Sequence, residues 1–172
     1  MGKYFITGSP GSGKSTIISN LQRRGFTAYD TDNMPDVSRL EYRKSGEAVL
    51  NWPKEPIDWE VYAWNWEPTA IEQLLNSIGD VFLAGVVANQ DLFYKHFDAI
   101  FVLTLDVPIL HSRIMNRIDK GYGKQPDELK GLLDFHPIRL SQLLNEPNAV
   151  AIDAAQPLDK VTSDILEYAK NH

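Results

Sequence analysis

The chain has no cysteine, which excludes disulfides, thiolate catalysis and zinc sites built on cysteine. No apolar run approaches about 20 residues, so no membrane span is indicated. The N-terminus lacks the charged region and apolar stretch of a secretion signal. Met1-Gly2 is followed by Ile6 where a myristoylation site needs Ser or Thr. Basic residues are outnumbered, 17 against 23, giving a net charge of -6, and this balance argues against nucleic acid as a partner. Repeats and low-complexity tracts are also missing. A soluble cytoplasmic protein is the expectation.

What remains is ordinary globular composition, 43% hydrophobic and 23% charged over 172 residues, enough for one domain with a real core. Short apolar runs at 4–7, 27–30, 80–87, 99–105 and 149–153 read as buried strands. Between them, helical spacing covers 15–24, 70–78, 109–118, 127–144 and 158–169, with Pro108 suited to a first turn and Asp106 available as its cap. Strands alternating with helices predict a three-layer α/β/α fold around a five-stranded parallel sheet. Residues 33–68 break the rhythm with four prolines and all four tryptophans. They read as an insertion too irregular for a core element, folded over the carboxyl end of the sheet.

The sharpest motif is "GSPGSGKST", residues 8–16, between the first strand and the first helix. Gly8, Gly13, Lys14 and Ser15 complete G-x-x-x-x-G-K-[ST], the phosphate-binding loop of P-loop NTPases, in the strand–loop–helix context it requires. Its glycines, with Gly11, let backbone N–H groups of Ser12, Gly13 and Thr16 turn inward toward phosphate, and the helix N-terminus adds partial positive charge. Lys14 is expected to reach the β- and γ-phosphates and Ser15 to complete a Mg²⁺ site. No N-K-x-D guanine reader and no L-S-G-G-Q signature occurs, which leaves a small kinase or an unusual nucleotide binder.

"YDTDNMP" follows the second strand. Asp30 and Asp32, two apart at a strand's end, would share one side beside the loop, where ligands gather in parallel sheets. Two carboxylates there suit holding Mg²⁺ and orienting or deprotonating an acceptor hydroxyl; the same string is also good turn chemistry. Loop and "YDTD" together resemble the shikimate and gluconate kinase branch of the nucleoside-monophosphate-kinase-like P-loop kinases. The resemblance implies that Asp30 assists the Mg²⁺ shell and that Asp32 binds the attacking hydroxyl.

Arg113 and Arg117, four apart on one helical face, match the R-x-x-x-R of adenylate-kinase-like enzymes. That likeness implies one arginine on adenine and the other, Arg117, on the transferring phosphoryl group. Residues 119–126 then read as a short lid, with Gly121 and Gly123 as hinges and Lys120 and Lys124 able to reach phosphate. Ala154, Ala155 and Gln156 occupy the place of the resembled kinases' adenine loop.

The acceptor region departs from the pattern. Shikimate kinases carry three glycines after the third sheet strand, where this chain has "LAGVVANQ", and Arg39 and Arg43 differ in spacing from the arginine after their D-T-D. Arg39, Trp59, Trp64, Asn89 and Gln90 are the acceptor candidates, since aromatic walls with a few amides suit a nucleoside-like or sugar-like molecule. The leading expectation is an ATP- and Mg²⁺-dependent kinase acting on a small-molecule hydroxyl. The alternatives are a nucleotide kinase accepting on phosphate, and a nucleotide-binding regulatory protein with slow hydrolysis.

Overall fold

The structure, a computed structural model, describes residues 1–54, 57–77, 79–118 and 123–172. In chain order the elements are β1 (Lys3–Thr7), α1 (Lys14–Arg23), β2 (Thr27–Asp30), β3 (Ser38–Tyr42), β4 (Tyr62–Trp66), α2 (Pro68–Leu75), β5 (Val81–Ala84), β6 (Ala99–Thr104), α3 (Val107–Asn116), α4 (Pro126–Leu144), β7 (Ala149–Asp153) and α5 (Leu158–Asn171). All five apolar runs are strands of one parallel sheet in the order β2-β5-β1-β6-β7. Successive connections leave β1 first toward β2 and later toward β6. The loop after β1 therefore opens at the point where the winding reverses, the crevice in which open α/β sheets bind ligands.

The sheet is buried on both faces, and its side chains sort with period two. Tyr4, Ile6, Phe82, Ala84, Phe101 and Leu103 point to the side of α1, α3 and α5, where Ile17, Leu21, Leu110 and Ile165 meet them. Phe5, Val81, Leu83, Ile100 and Val102 point the other way, toward Ile71 and Leu75 of α2 and Leu143 of α4. This is the three-layer α/β/α arrangement of a P-loop fold. No described helix is long and apolar enough to cross a membrane.

Two expectations need correction. Residues 33–68 are more regular than their prolines implied: β3 and β4 form an antiparallel ladder with Leu40 opposite Trp64 and Ser38 opposite Trp66. Prolines 53 and 68 lie outside the strands, so neither removes a ladder hydrogen bond. Nor is the segment peripheral to the core. Trp66 is fully buried, edge-on to Phe5 and Phe93, and its Nε1 donates to Thr31 Oγ1 at 2.8 Å. The other expectation to fail concerns two element ends. β5 stops at Ala84 rather than continuing to 87, because the Val86 N–H turns away to a carboxylate described below. α2 ends at Leu75, and Ile78, placed in it by spacing, lies outside the described residues.

Candidate active site

The loop after β1 is built to receive an anion. Gly13, the residue that opens α1, has φ +106, a left-handed conformation that costs an L side chain but not glycine. No side chain caps α1, and its first turn carries no acidic residue. Its leading N–H groups are thus open donors at the positive end of the helix. Ser12 Oγ is buried without a hydrogen-bond partner. Lys14 is buried, and among the described residues its Nζ donates to the carbonyls of Gly8 and Ser9, at 3.1 and 3.2 Å. Burial pulls its pKa down to about 8. A desolvated ammonium held by two neutral carbonyls is a cation awaiting a stronger partner.

A cavity of about 590 Å³ opens over this loop. It is lined by residues 11–17, by Ser112, Arg113, Asn116 and Arg117 of the α3 segment, and by Ala154 and Gln156. Arg113 ties the two walls together: one guanidinium nitrogen donates to Ser12 O at 3.1 Å and another to Ala154 O at 2.7 Å. Asp153 accepts from Ala155 N and from the Gln156 side chain, which folds this loop into a compact turn. Arg117 lies near enough to Lys14 to oppose its protonation. The region is thus cationic and lined with donors, and its volume suits a nucleotide.

Lys14 also feels the carboxylate pair, Asp32 more strongly than Asp30. Asp30 ends β2 and accepts from Asn33 Nδ2 at 2.8 Å. Asp32 sits in the following turn, where both of its carboxylate oxygens accept from Val86 N at 3.1 Å and Oδ1 also accepts from Trp64 Nε1 at 3.4 Å. Burial pushes its pKa above the usual carboxylate range, and the Lys14 charge pulls against that rise. Gly85 makes the approach feasible: a Cβ there would lie 2.4 Å from Thr31 Oγ1 and 3.2 Å from Asp32 Oδ1. The single glycine in "LAGVVANQ" is therefore a spacing requirement for the aspartate.

A second cavity, about 310 Å³, adjoins the loop and is lined by Ser9, Pro10, Val86, Gly131, Leu132, Phe135 and Arg139. Arg139 was not legible in the sequence. It lies in α4, burial lowers its pKa, and its charge is felt by both Asp32 and Lys14. Nη2 donates to Gln90 Oε1 at 3.2 Å, while Nε is buried with no hydrogen-bond partner. Spacing places an arginine on a helix, but which helix packs beside the loop is decided only when the chain folds.

The acceptor candidates scatter. Trp64 reaches Asp32. Gln90 is buried behind Arg139, its amide nitrogen donating to Tyr94. Asn89 spends its amide on both main-chain groups of Trp66, like a strand partner. Arg39 pairs with Glu41 at 2.8 Å inside the hairpin, and Arg43 donates to the Trp59 carbonyl. None of the five acceptor candidates lines either cavity described above, and neither does Asp32, which reaches the smaller one through Val86, from whose N–H it accepts. In the lid segment, Lys124 donates to the carbonyls of Met115 and Arg117 at the end of α3 rather than into the cavity. Lys120 and Gly121 lie outside the described residues.

The Mg²⁺ expectation passes a chemical test. Among the described residues no group of three or more His, Cys, Asp or Glu side chains could cage a metal. Mg²⁺ in phosphate sites needs no such cage, being bound by one or two carboxylates, waters and the phosphates themselves. Asp30 and the exposed Ser15 at the start of α1 are ligands of the right kind.

No protein-family model matches the sequence, and no curated protein matches it significantly. Solved structures do match in fold. A shikimate kinase from Acinetobacter baumannii in complex with shikimate superposes with a TM-score of 0.65 at 18% identity, covering 99% of this chain and 94% of that one. A gluconokinase from Sinorhizobium meliloti 1021 gives 0.58 at 20%, over 99% and 94%. A deoxyadenosine kinase from M. mycoides with bound dATP gives 0.58 at 14%, over 99% and 100%. These likenesses establish the fold, a P-loop kinase fold spanning the chain.

Proposed function

We propose that this protein is an ATP-dependent kinase that transfers the γ-phosphoryl group to a hydroxyl of a small-molecule acceptor. One observation carries the reading: Asp32, Arg139, Asp30 and Arg117 all act electrostatically on the buried ammonium of Lys14. Two carboxylates and two guanidiniums converging on a phosphate loop is the layout that phosphoryl transfer needs, since its catalysis is chiefly positioning and charge stabilisation. The fold likeness to kinases supports the same reading.

The larger cavity receives the nucleotide, with the loop amides and Lys14 on its phosphates and Ala154 and Gln156 beside the base. Ser15 and Asp30 would hold Mg²⁺, which when bound neutralises phosphate charge. The acceptor enters the smaller cavity, and its hydroxyl lies against Asp32. As the acceptor oxygen bonds to the γ-phosphorus, the bond to the β,γ-bridging oxygen breaks, and the acceptor proton passes to the Asp32 carboxylate. The raised pKa of Asp32 makes it a better base than an exposed aspartate. Arg117 and Arg139 meet the charge that develops on the equatorial oxygens.

The test is a screen of a metabolite pool for acceptor-dependent ADP formation, repeated with Asp32→Asn. A hit lost in Asp32→Asn supports the reading. Failure across several hundred hydroxyl acceptors sinks it. Arg139 favours a second reading, an acceptor that itself carries phosphate. Its guanidinium borders the smaller cavity and has a buried, unpartnered nitrogen, so nucleoside monophosphates belong in the same screen.

A further inference from the structure

We propose that His136 is a positioning residue, a latch on α4 that sets the phosphate loop through Ser9; the inference rests on the nucleotide-binding reading of that loop. His136 and Ser9 are both buried, and Ser9 Oγ lies 2.7 Å from His136 Nδ1. The other ring nitrogen, Nε2, lies 2.8 Å from the carbonyl oxygen of Leu105, just beyond β6. A carbonyl only accepts, so Nε2 carries a hydrogen and donates it. In the neutral ring Nδ1 is then an acceptor, and the Ser9 hydroxyl donates to it. One tautomer satisfies both bonds.

Ser9 is the residue through which such a latch would act. Its carbonyl accepts from Lys14 Nζ at 3.2 Å and from Ser12 N at 3.0 Å. To reach a phosphate, Lys14 must leave the carbonyls of Gly8 and Ser9. The loop then loses its internal cation while its amides must keep pointing inward. A side-chain anchor from Ser9 to a helix outside the loop holds the backbone through that exchange. His136 lines neither cavity, so it acts through Ser9 and not on ligand. Misplacing a phosphate cradle by about 1 Å is enough to cost about a hundredfold in rate.

The measurement is Mg-ATP affinity by calorimetry, with ligand-free melting alongside, on wild type, Ser9→Ala, His136→Gln, the double variant and His136→Asn. Gln keeps a donor for Leu105 and loses the acceptor for Ser9; Asn keeps an acceptor at the Nδ1 place. Ser9→Ala and His136→Gln should each weaken binding about tenfold. The double variant should be no weaker than either, because both remove one bond. His136→Asn, although the smaller side chain, should bind within about threefold of wild type, a pattern that loss of packing would not give; Ser9→Ala leaves the buried Nδ1 without its donor and should melt a few degrees lower. Unchanged affinity in both single variants overturns the latch, as do losses that multiply to about a hundredfold in the double variant. If His136→Gln does not fold, Ser9→Ala decides alone: about tenfold weaker supports the latch, and unchanged affinity overturns it. A wild-type protein with no affinity for Mg-ATP overturns the nucleotide reading, and the latch with it.

Discussion

At the scale of single residues, Lys14 is stabilised badly on purpose. Lowering its pKa from 10.5 to about 8 by burial corresponds to about 3 kcal/mol of cost in the ligand-free protein. The sign follows from proton counts. Between about pH 8 and 10.5 the unfolded chain keeps a proton that the folded chain has lost, so stability contributed by this site rises with pH across that window. Lys14→Met should therefore melt higher than wild type at pH 7, and the gap should close toward pH 10.5, as thermal scans at several pH values would show. The same proton governs binding. Phosphate favours the charged ammonium, so Mg-ATP affinity should be flat below about pH 8 and weaken above it, by up to about tenfold per pH unit. In Lys14→Met the nucleotide should bind far more weakly and without that pH limb. Asp32→Asn works differently. The amide keeps an acceptor for Val86 N, so ATP affinity should persist while transfer falls by roughly 10²–10⁴-fold, the usual contribution of a positioned base.

At the scale of elements, legibility depended on whether a feature is local. The five strands and the glycine-rich turn between β1 and α1 were readable because apolar runs and glycine spacing are properties of consecutive residues. The β3–β4 hairpin was not, since its partners are separated by about 20 residues rich in proline and its ladder exists only when the strands meet. Trp66 looked like one of four insertion tryptophans; its burial against Phe5 and Phe93 is decided by which face of β1 the hairpin covers. Arg139 and His136 share α4, three residues apart, on either side of Pro137. Pro137 lacks the N–H that an α-helix uses there. Nothing in "FHPIR" says that this helix crosses the loop. Gly85 is the exception, a local residue with a long-range reason. Gly85→Ala would drive a methyl into Thr31 and Asp32, and Thr31 in turn holds Ala84 and Trp66. We expect a loss of about 1–3 kcal/mol in denaturant unfolding together with a drop in transfer of about a hundredfold. A drop in stability with normal transfer would mean that the aspartate does not need its present position.

At the scale of the whole molecule, the two cavities share the loop after β1 as a common wall, with residues 11–17 facing the larger and Ser9 and Pro10 facing the smaller. Elements from both layers converge there: α1, α3 and the 153–156 turn on one side, the hairpin and α4 on the other. Lys14, held by two carbonyls, and Arg139, whose buried Nε makes no hydrogen bond, stand where the layers meet, and an anion bound there would strengthen contacts in several of them at once. The thermodynamic consequence is simple linkage. A ligand that binds only the folded state at about 100 times its Kd adds about 2.7 kcal/mol, and for a chain of 172 residues each kcal/mol moves Tm by roughly 2–4 °C. Saturating Mg-ATP should therefore raise Tm by about 5–10 °C in a thermal-shift assay. AMP, which has the base but no β- or γ-phosphate to meet Lys14, should move it by far less. In Lys14→Met the ATP shift should collapse toward the AMP value, because the triphosphate then finds open amides and two arginines but no ammonium. Equal shifts for ATP and AMP in wild type would mean that the loop is not where the binding energy arises.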